Sequence, residues 1–314
     1  MTIGIAFSSF IICTISIIFF QNLFFRRKII DKINKRSSHK VLATRSGGVS
    51  IFIPIFLLSI FYYVQGLELF DYGIILPLMI LLIVGLYDDI YNVDFKLKFL
   101  FQIIVAKIII DNGLIIDNMH GMFGINELNR IIAQLITIFI IVAVINAINF
   151  IDGIDGLALS IITLFIIGYE YFVINTSEFY FLSIILIFSF IPLLLFNFRE
   201  KNKVFLGDSG SLLLGTVVSI YVLNILSQEY IIKVQYDLNK IIFVISLLSY
   251  PIFDIIRIFI IRLYKRKSPF VADKNHIHHI LLKKYRIHWK VTFLLSIFSF
   301  LILVSIQLLN GFIY

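Results

Sequence analysis

Five aspartates are the residues of this sequence best suited to chemistry, because they lie beside glycines or at the ends of apolar runs: Asp88, Asp89, Asp152, Asp155 and Asp208. Carboxylates in such surroundings repel one another unless a cation gathers them. Their oxygen atoms suit Mg²⁺, with Mn²⁺ as the second choice, and Mg²⁺ usually shares its shell between one or two carboxylates, water and substrate phosphates. The aspartates therefore predict a divalent-metal site that handles phosphate groups.

Glycine-rich motifs surround three of these aspartates. The segment DGIDG places Asp152 and Asp155 three residues apart, so that they project together on a helix, and its glycines let the backbone approach a ligand closely. The segment GDSGS, residues 207–211, resembles an anion-binding turn at the start of a helix. A helix cap is the alternative for either motif, and a simple water boundary is the alternative for the pair Asp88-Asp89.

Three histidines, His276, His278 and His279, stand within four residues of one another, directly after Asp273-Lys274-Asn275. Zinc is one alternative, but no Cys or Glu of this segment completes a zinc site. Histidines on a basic segment also suit hydrogen bonds to phosphate, and a purely structural role is the remaining alternative. We expect the three histidines to bind phosphate.

The elements that position these residues are predicted from the apolar runs of the chain. It has 314 residues, of which 60% are hydrophobic and 15% charged, and its mean hydropathy is +1.00. Because a spanning helix needs roughly 20 apolar residues, the sequence predicts one all-α integral membrane domain, residues 1–314, with about ten transmembrane helices. Their predicted bounds are Ile3–Phe24, Gly48–Val64, Tyr72–Leu86, Leu97–Asp111, Arg130–Asn146, Leu157–Ile174, Phe179–Phe196, Leu212–Ser227, Ile241–Ile261 and Val291–Phe312.

The orientation of these helices is predicted from the positive charges. About 22 of the 27 Lys and Arg residues fall in the loops that follow odd-numbered spans, and such residues mark cytoplasmic loops. Both termini are then outside, and the cytoplasmic loops are approximately 25–47, 87–96, 147–156, 197–211 and 262–290. All the candidate residues lie in these five loops, so we expect one cytoplasmic cleft that a membrane lipid and a soluble substrate both reach. Nucleic acid is excluded as a partner because the charge is carried on loops of a polytopic protein.

The motifs occur in an order that resembles the polyprenyl-phosphate N-acetylhexosamine-1-phosphate transferase family, which also contains the phospho-MurNAc-pentapeptide translocase. They are the pair at 88–89, the segment 146–158, GDSGS at 207–211 and ADKNHIHH at 272–279. The resemblance covers nearly the whole chain. It implies the transfer of a sugar-1-phosphate, expected to be GlcNAc-1-phosphate, from a UDP-N-acetylhexosamine to undecaprenyl phosphate in the bacterial inner membrane, with release of UMP.

The resemblance also implies roles for individual residues. Asp208 matches the family's metal ligand, Asp88 matches a candidate base for the acceptor phosphate, and Asp89 is its catalytic neighbour. The remaining catalytic candidates are Asp155, His278 and His279, and the substrate-binding candidates are His39, Arg45, Asn149, Asp152, Phe205 and His276. The resemblance leaves open whether transfer occurs in one step or through a covalent aspartyl-phosphate, and the translocase relatives make a homodimer an expectation.

The histidine motif indicates the branch of the family. The translocase branch is expected to carry three consecutive histidines followed by Phe-Glu, whereas this chain has His-Ile-His-His-Ile from His276 onward. This favours the branch that initiates O-antigen, teichoic acid or related glycans, with the pentapeptide translocase as the alternative. From other classes, a secondary transporter and a non-catalytic scaffold are the alternatives. Few ionisable residues lie in mid-span as a transporter requires, and two of them, Asp254 and Arg257, are predicted to pair with each other.

The charge asymmetry generates a topological prediction. Single cysteines that replace His39, Asp88, Asp155, Asp208 or His278 all face the cytoplasm, so an impermeant thiol reagent added to intact cells will leave them unlabelled. The same variants will be labelled after the membrane is opened. Labelling of any one of them from outside, in a folded protein, contradicts the single cytoplasmic cleft.

Overall fold

The computed structural model describes residues 1–31, 42–119, 121, 124–174, 177–227, 231–233, 236, 239–266 and 275–310. This described part is all-α apart from two short strands, as the sequence predicts. The helices are α1 (Thr2–Arg26), α2 (Gly47–Val64), α3 (Ile75–Tyr91), α4 (Phe95–Asp111), α5 (Arg130–Ile151), α6 (Leu157–Phe172), α7 (Tyr180–Asn197), α8 (Gly207–Ser227), α9 (Lys240–Leu247), α10 (Ser249–Tyr264), α11 (Ile277–Tyr285) and α12 (His288–Asn310). The strands are β1 (Ala43–Thr44) and β2 (Lys203–Val204), which pair in parallel.

Nine of the ten predicted spans each overlap one helix within the described residues, whereas Ile241–Ile261 is divided between α9 and α10. The helices differ in whether they are long and apolar enough to cross a bilayer. Within the described residues, seven are long and apolar enough: α1, α2, α3 with the 3₁₀ turn before it, α5, α7, α8 and α12. The pair α9 and α10 is bent by 85° and gives an eighth if it forms one broken span. The helices α6 and α4, with 16 and 17 residues, are shorter than these, so the prediction that they span stays a prediction.

The chain divides into two compact units, and the prediction of one integral membrane domain stays a prediction. Unit 1 comprises residues 1–146 and 175–231 and contains α1 to α4, most of α5, α7, α8 and both strands. Unit 2 comprises residues 147–174 and 232–314 and contains the end of α5, α6 and α9 to α12.

The core of unit 1 is α8, which is buried along its whole length between Ser209 and Leu226. Such a helix is apolar on every side, and α8 packs against α3 and α2. Glycines permit this close packing: a Cβ on Gly85 would lie 2.5 Å from Ser209 Cα, and one on Gly48 would lie 2.3 Å from Gly210 N. The first turn of α8 is thereby fixed against two neighbouring helices.

The core of unit 2 is built around α12, which packs against α6, α9, α10 and α11. Gly168 of α6 lets Leu247 and Leu303 approach, since a Cβ there would lie 2.7 Å and 2.9 Å from their methyl carbons. The amino-terminal end of α12, at His288, lies next to the carboxyl-terminal end of α11 in the chain.

The predicted loops differ from the structure at several motifs. Residues 87–91 belong to α3, residues 147–151 to α5 and residues 207–211 to α8, so these motifs stand on helix ends rather than in connectors. The predicted loop 262–290 contains a further helix, α11, which is too short and too basic to register as an apolar run. The start of that loop, residues 267–274, lies outside the described residues, as does much of loop 25–47.

Candidate active site

The pairing of β1 with β2 brings the first predicted cytoplasmic loop to the start of α8. Phe205 N donates to Thr44 O at 2.8 Å, and Gly47 N donates to Phe205 O at 3.0 Å. Phe205, a predicted substrate-binding residue, therefore has its backbone in this pairing. The consequence is that Arg45, one residue beyond β1, lies beside Gly207, one residue before Asp208.

Asp89 caps α8 from the end of α3. Its side chain is 0% exposed, and its two carboxylate oxygens accept from Asp208 N at 2.9 Å and from Ser209 N at 3.0 Å. Gly207, with φ of +75°, makes the turn that presents these two N–H groups, and a Cβ on it would lie 2.6 Å from Asp89 Oδ2. Asp89, which the sequence predicts to be catalytic, thus holds Asp208 in place.

Asp88 faces a cation that the sequence analysis missed. Lys98 Nζ lies 2.8 Å from Asp88 Oδ2 and 3.8 Å from Asp208 Oδ1. Val93 N also donates to Asp88 Oδ1 at 2.6 Å. Lys98 stands on α4 ten residues after Asp88, and α4 also carries Lys96 and Lys107, so the sequence alone does not single it out.

Arg45 provides the second positive charge. Its guanidinium lies 2.8 Å from Asp31 Oδ1 and 3.4 Å from Asp89 Oδ1. Burial acts to lower the pKa of Arg45, but the nearby carboxylates, Asp31 first, outweigh it and raise this pKa above its usual range. Arg45 was predicted to bind substrate, and in the structure its guanidinium is paired with carboxylates. We call Asp88, Asp89, Asp208, Lys98 and Arg45 the carboxylate cluster.

The carboxylate cluster offers few protein ligands to a metal ion. Among the described residues, no group of three or more His, Cys, Asp or Glu side chains is arranged to hold a metal. The Asp208 side chain is 24% exposed, against 8% for Asp88 and 0% for Asp89, and is the most accessible of the three. One carboxylate completed by water and substrate phosphates is a common shell for Mg²⁺, so the donor set fits that ion.

Unit 2 carries the three histidines, which we call the histidine cluster. The ring centroids of His276 and His278 are 5.5 Å apart, and those of His278 and His279 are 4.3 Å apart. His278 is 0% exposed, and its Nδ1 lies 2.9 Å from the hydroxyl of Tyr250. Burial lowers the pKa of His278 to about 3, with His279 and His276 acting in the same direction, so this ring is neutral at physiological pH.

The segment from Asp152 to Asp155 is held from two sides within unit 2. On one side a Cβ on Gly153 would lie 2.4 Å from His278 Nε2, so the ring packs directly on this glycine. On the other side Thr292 Oγ1 donates to Asp155 O at 2.7 Å, and Asp155 N donates to His288 Nδ1 at 3.2 Å. Neither Thr292 nor His288 was a sequence-predicted site residue, although both stand at the start of α12, shortly after the histidine motif.

The structure places most of the predicted residues and leaves some predictions open. Asp88, Asp89 and Asp208 come together in unit 1, and Asp155 and the histidines come together in unit 2. Asn149 O accepts from Asp152 N at 3.3 Å at the end of α5. His39 lies outside the described residues. The prediction of a single cleft stays a prediction.

Known proteins resemble this chain over most of its length. The family model described as glycosyl transferase family 4 matches residues 71–226. A protein of Pasteurella multocida named undecaprenyl-phosphate alpha-N-acetylglucosaminyl 1-phosphate transferase is 33% identical over 94% of this chain and 84% of its own length. A Bacillus subtilis protein named probable undecaprenyl-phosphate N-acetylglucosaminyl 1-phosphate transferase is 31% identical over 90% and 77%, and an Escherichia coli protein with the first of these names is 27% identical over 86% and 75%.

The cap on α8 generates a prediction with a matched control. Gly207 and Gly66 have nearly the same φ, +75° and +74°, but a Cβ on Gly66 has nothing within 4 Å. Alanine at either position costs about 1–2 kcal/mol of backbone strain, and only Gly207→Ala also displaces Asp89. We expect Gly66→Ala to keep its catalytic rate while Gly207→Ala loses most of it, measured on protein of verified folding. Equal rates in the two variants contradict the role given to Asp89.

Proposed function

We infer that this chain, which belongs to the polyprenyl-phosphate N-acetylhexosamine-1-phosphate transferase family, transfers GlcNAc-1-phosphate from UDP-GlcNAc to undecaprenyl phosphate. The chain is a multi-pass membrane protein, and the acceptor and the GlcNAc group occur in the names of its relatives. The UDP form of the donor, the inner membrane and the cytoplasmic side of the reaction belong to the proposal. The distribution of Lys and Arg along the chain supports the cytoplasmic side, and the UDP donor and the inner membrane follow from the resemblance to the family.

The observation that carries this proposal is the carboxylate cluster at the start of α8. It sets three carboxylates against two cations at the amino-terminal end of a buried helix, where the helix dipole favours phosphate. A phosphoryl transfer depends mostly on positioning and on neutralisation of charge. The cluster supplies the positioning, because its charged groups are fixed by hydrogen bonds, and a divalent cation on Asp208 would supply the positive charge.

The reaction itself is balanced without a redox step. An oxygen of the undecaprenyl phosphate attacks the phosphorus that carries the sugar, and a new P–O bond forms. The bond from that phosphorus to the oxygen shared with the uridine-side phosphate breaks, and UMP leaves with this oxygen. A phosphate monoester has its second pKa near roughly 6, so the acceptor is mostly dianionic at neutral pH and has no proton to give up.

The residues of the cluster divide the work as follows. Lys98, between Asp88 and Asp208, is placed to attract the acceptor phosphate, and Asp88 orients the Lys98 ammonium. Asp208 would hold Mg²⁺ or Mn²⁺, which supplies positive charge to the diphosphate. Asp89 and Gly207 hold Asp208 in position.

In unit 2, His276 and His279 are proposed to contact the donor, together with Asn149, Asp152 and Asp155. His278 is fully buried and neutral, so its proposed role changes from a phosphate ligand to a support for the Asp152–Asp155 segment. A homodimer, which the translocase branch implies, stays an expectation.

The function is tested by release of UMP. Purified protein mixed with UDP-GlcNAc, Mg²⁺ and undecaprenyl phosphate will release UMP only when the lipid is present. UDP-MurNAc-pentapeptide will not replace UDP-GlcNAc, because the histidine motif differs from that of the translocase branch. Failure to release UMP from UDP-GlcNAc contradicts the donor assignment, and a comparable rate with the pentapeptide donor contradicts the branch.

Asp208→Asn and Asp88→Asn should differ in their dependence on metal. Asp208→Asn removes a charged ligand, so the Mg²⁺ concentration that gives half-maximal rate will rise. Loss of an outer-shell partner alone weakens metal binding by roughly 10- to 100-fold, and loss of a direct ligand is expected to weaken it at least as much. Asp88→Asn will leave that concentration unchanged and lower turnover by roughly 10²-fold if Asp88 acts as a base. If Asp88 only orients Lys98, the loss will not depend on pH above the second pKa of the acceptor.

A titration of Mg²⁺ at several pH values on both variants measures these effects. Asp111→Asn is the matched control, since the Asp111 side chain is 60% exposed and lies outside the cluster. If Asp208→Asn and Asp88→Asn show the same metal dependence, the separate roles given to the two aspartates are wrong. Full activity of Asp208→Asn contradicts the assignment of Asp208 as a metal ligand.

A further inference from the structure

Three polar residues form a stripe along one face of α10. Tyr250, Asp254 and Arg257 follow one another at intervals of four and three residues, which places them on the same side of a helix. We call them the α10 stripe. All three contact the segment from Asn275 to His278, which contains the first two residues of the histidine cluster. The histidine motif is therefore held by side chains of α10, a helix that contains none of the sequence motifs.

Asp254 is the centre of the α10 stripe. It is 1% exposed, its Oδ2 lies 2.7 Å from His276 Nδ1, and its Oδ1 accepts from Ile277 N at 2.9 Å. Arg257, which the sequence predicted to be its partner, is farther away, at 3.9 Å from Oδ1. Arg257 instead donates to Asn275 O at 2.8 Å. The closest partners of Asp254 are therefore groups of the histidine segment.

The contact with Asp254 determines how His276 can act. A carboxylate accepts hydrogen bonds, so it keeps a proton on Nδ1 whether the ring is neutral or charged. Nε2 then remains as the ring nitrogen that can meet another group. The Ile277 N–H bond to the other oxygen fixes the carboxylate itself, so that the direction of the ring is set by two bonds rather than one.

Tyr250 holds the next histidine in the same way. Its buried hydroxyl lies 2.9 Å from His278 Nδ1, and the other side of that ring packs on Gly153. The two contacts from α10, one turn apart, fix two successive histidine rings that stack at an interplanar angle of 19°. Such support residues are commonly as important as the groups they orient.

We propose that Asp254 is a positioning residue of the transferase, which acts through His276: it holds one proton on Nδ1 and directs Nε2 so that, in the ring that carries the second proton, Nε2–H donates to a phosphate oxygen of the donor. This inference rests on the proposed function. Asp254 does not touch substrate, and its effect on the reaction disappears when His276 is absent. It is distinct from the carboxylate cluster, which belongs to unit 1.

A double-mutant cycle on Asp254 and His276 tests this. UMP release from UDP-GlcNAc is measured for the wild type, Asp254→Asn, His276→Ala and the double variant, with kcat and KM separated. We expect Asp254→Asn to lower kcat by about 10- to 100-fold with KM for UDP-GlcNAc changed by less than about threefold. In the His276→Ala background the same change will cost less than about twofold, because the ring it orients is gone.

Two more variants complete the design. Asp254→Glu keeps a carboxylate and is expected to recover part of the rate that Asp254→Asn loses, and the exposed Asp111→Asn controls for removal of an aspartate charge. Thermal unfolding of each purified variant in detergent verifies folding. If Asp254→Asn does not fold, the cycle is run with Asp254→Glu, whose longer side chain is expected to shift His276 and to lower kcat by a smaller factor.

The outcomes separate the two levels of the argument. A wild type that releases no UMP from UDP-GlcNAc contradicts the proposed function itself. If the wild type is active and the factors by which Asp254→Asn and His276→Ala lower kcat multiply in the double variant, the positioning role is overturned. A merely structural aspartate would act independently of His276 in this way. An unchanged kcat in Asp254→Asn, or a rate in Asp254→Glu as low as in Asp254→Asn, overturns it as well.

Discussion

The cap that Asp89 places on α8 is the interaction on which the rest of unit 1 depends. The first N–H groups of a helix have no partner within it, and α8 is buried, so these groups need an acceptor. Asp89 provides both of its oxygens from a different helix, and thereby ties the end of α3 to the start of α8. Gly207 is required there because its φ is positive and because a side chain would occupy the space of the carboxylate. The position of Asp208 follows from this cap.

Burial forces the charges of the cluster into pairs. Removing an ion from water costs several kcal/mol, so a carboxylate with 0% exposure needs hydrogen bonds and an opposite charge. Asp89 has Arg45 and two N–H groups, and Asp88 has Lys98 and one N–H group. This pairing explains why three neighbouring aspartates do not form a three-ligand metal site. Asp208 keeps the greatest exposure and so remains the residue best placed to meet an incoming ion or phosphate.

The sequence was sufficient for the helices and the motifs and insufficient for their supports. Apolar runs located the spans, since the thickness of the bilayer sets the length of a spanning helix. The acidic and histidine motifs were recognised because several polar residues lie close together in each of them. Lys98, Tyr250 and Asp254 lie on helices outside the motifs, where the sequence does not identify a partner on another element. His288 likewise meets Asp155 from a position 133 residues later. Contacts of this kind depend on tertiary packing, which one sequence does not reveal.

The histidine cluster shows how burial separates residues that look alike in a motif. His278 is 0% exposed, and burial lowers its pKa to about 3, so its ring is neutral at neutral pH. The neutral ring of His278 lies between Tyr250 and Gly153 and cannot offset the charge of a phosphate. It packs on Gly153, where a residue with a Cβ would leave no room for the ring. Any contribution of positive charge from this cluster therefore falls to His276 and His279. Of these, His276 is the one whose ring is fixed by a carboxylate, so the direction of its second nitrogen is set before a substrate binds.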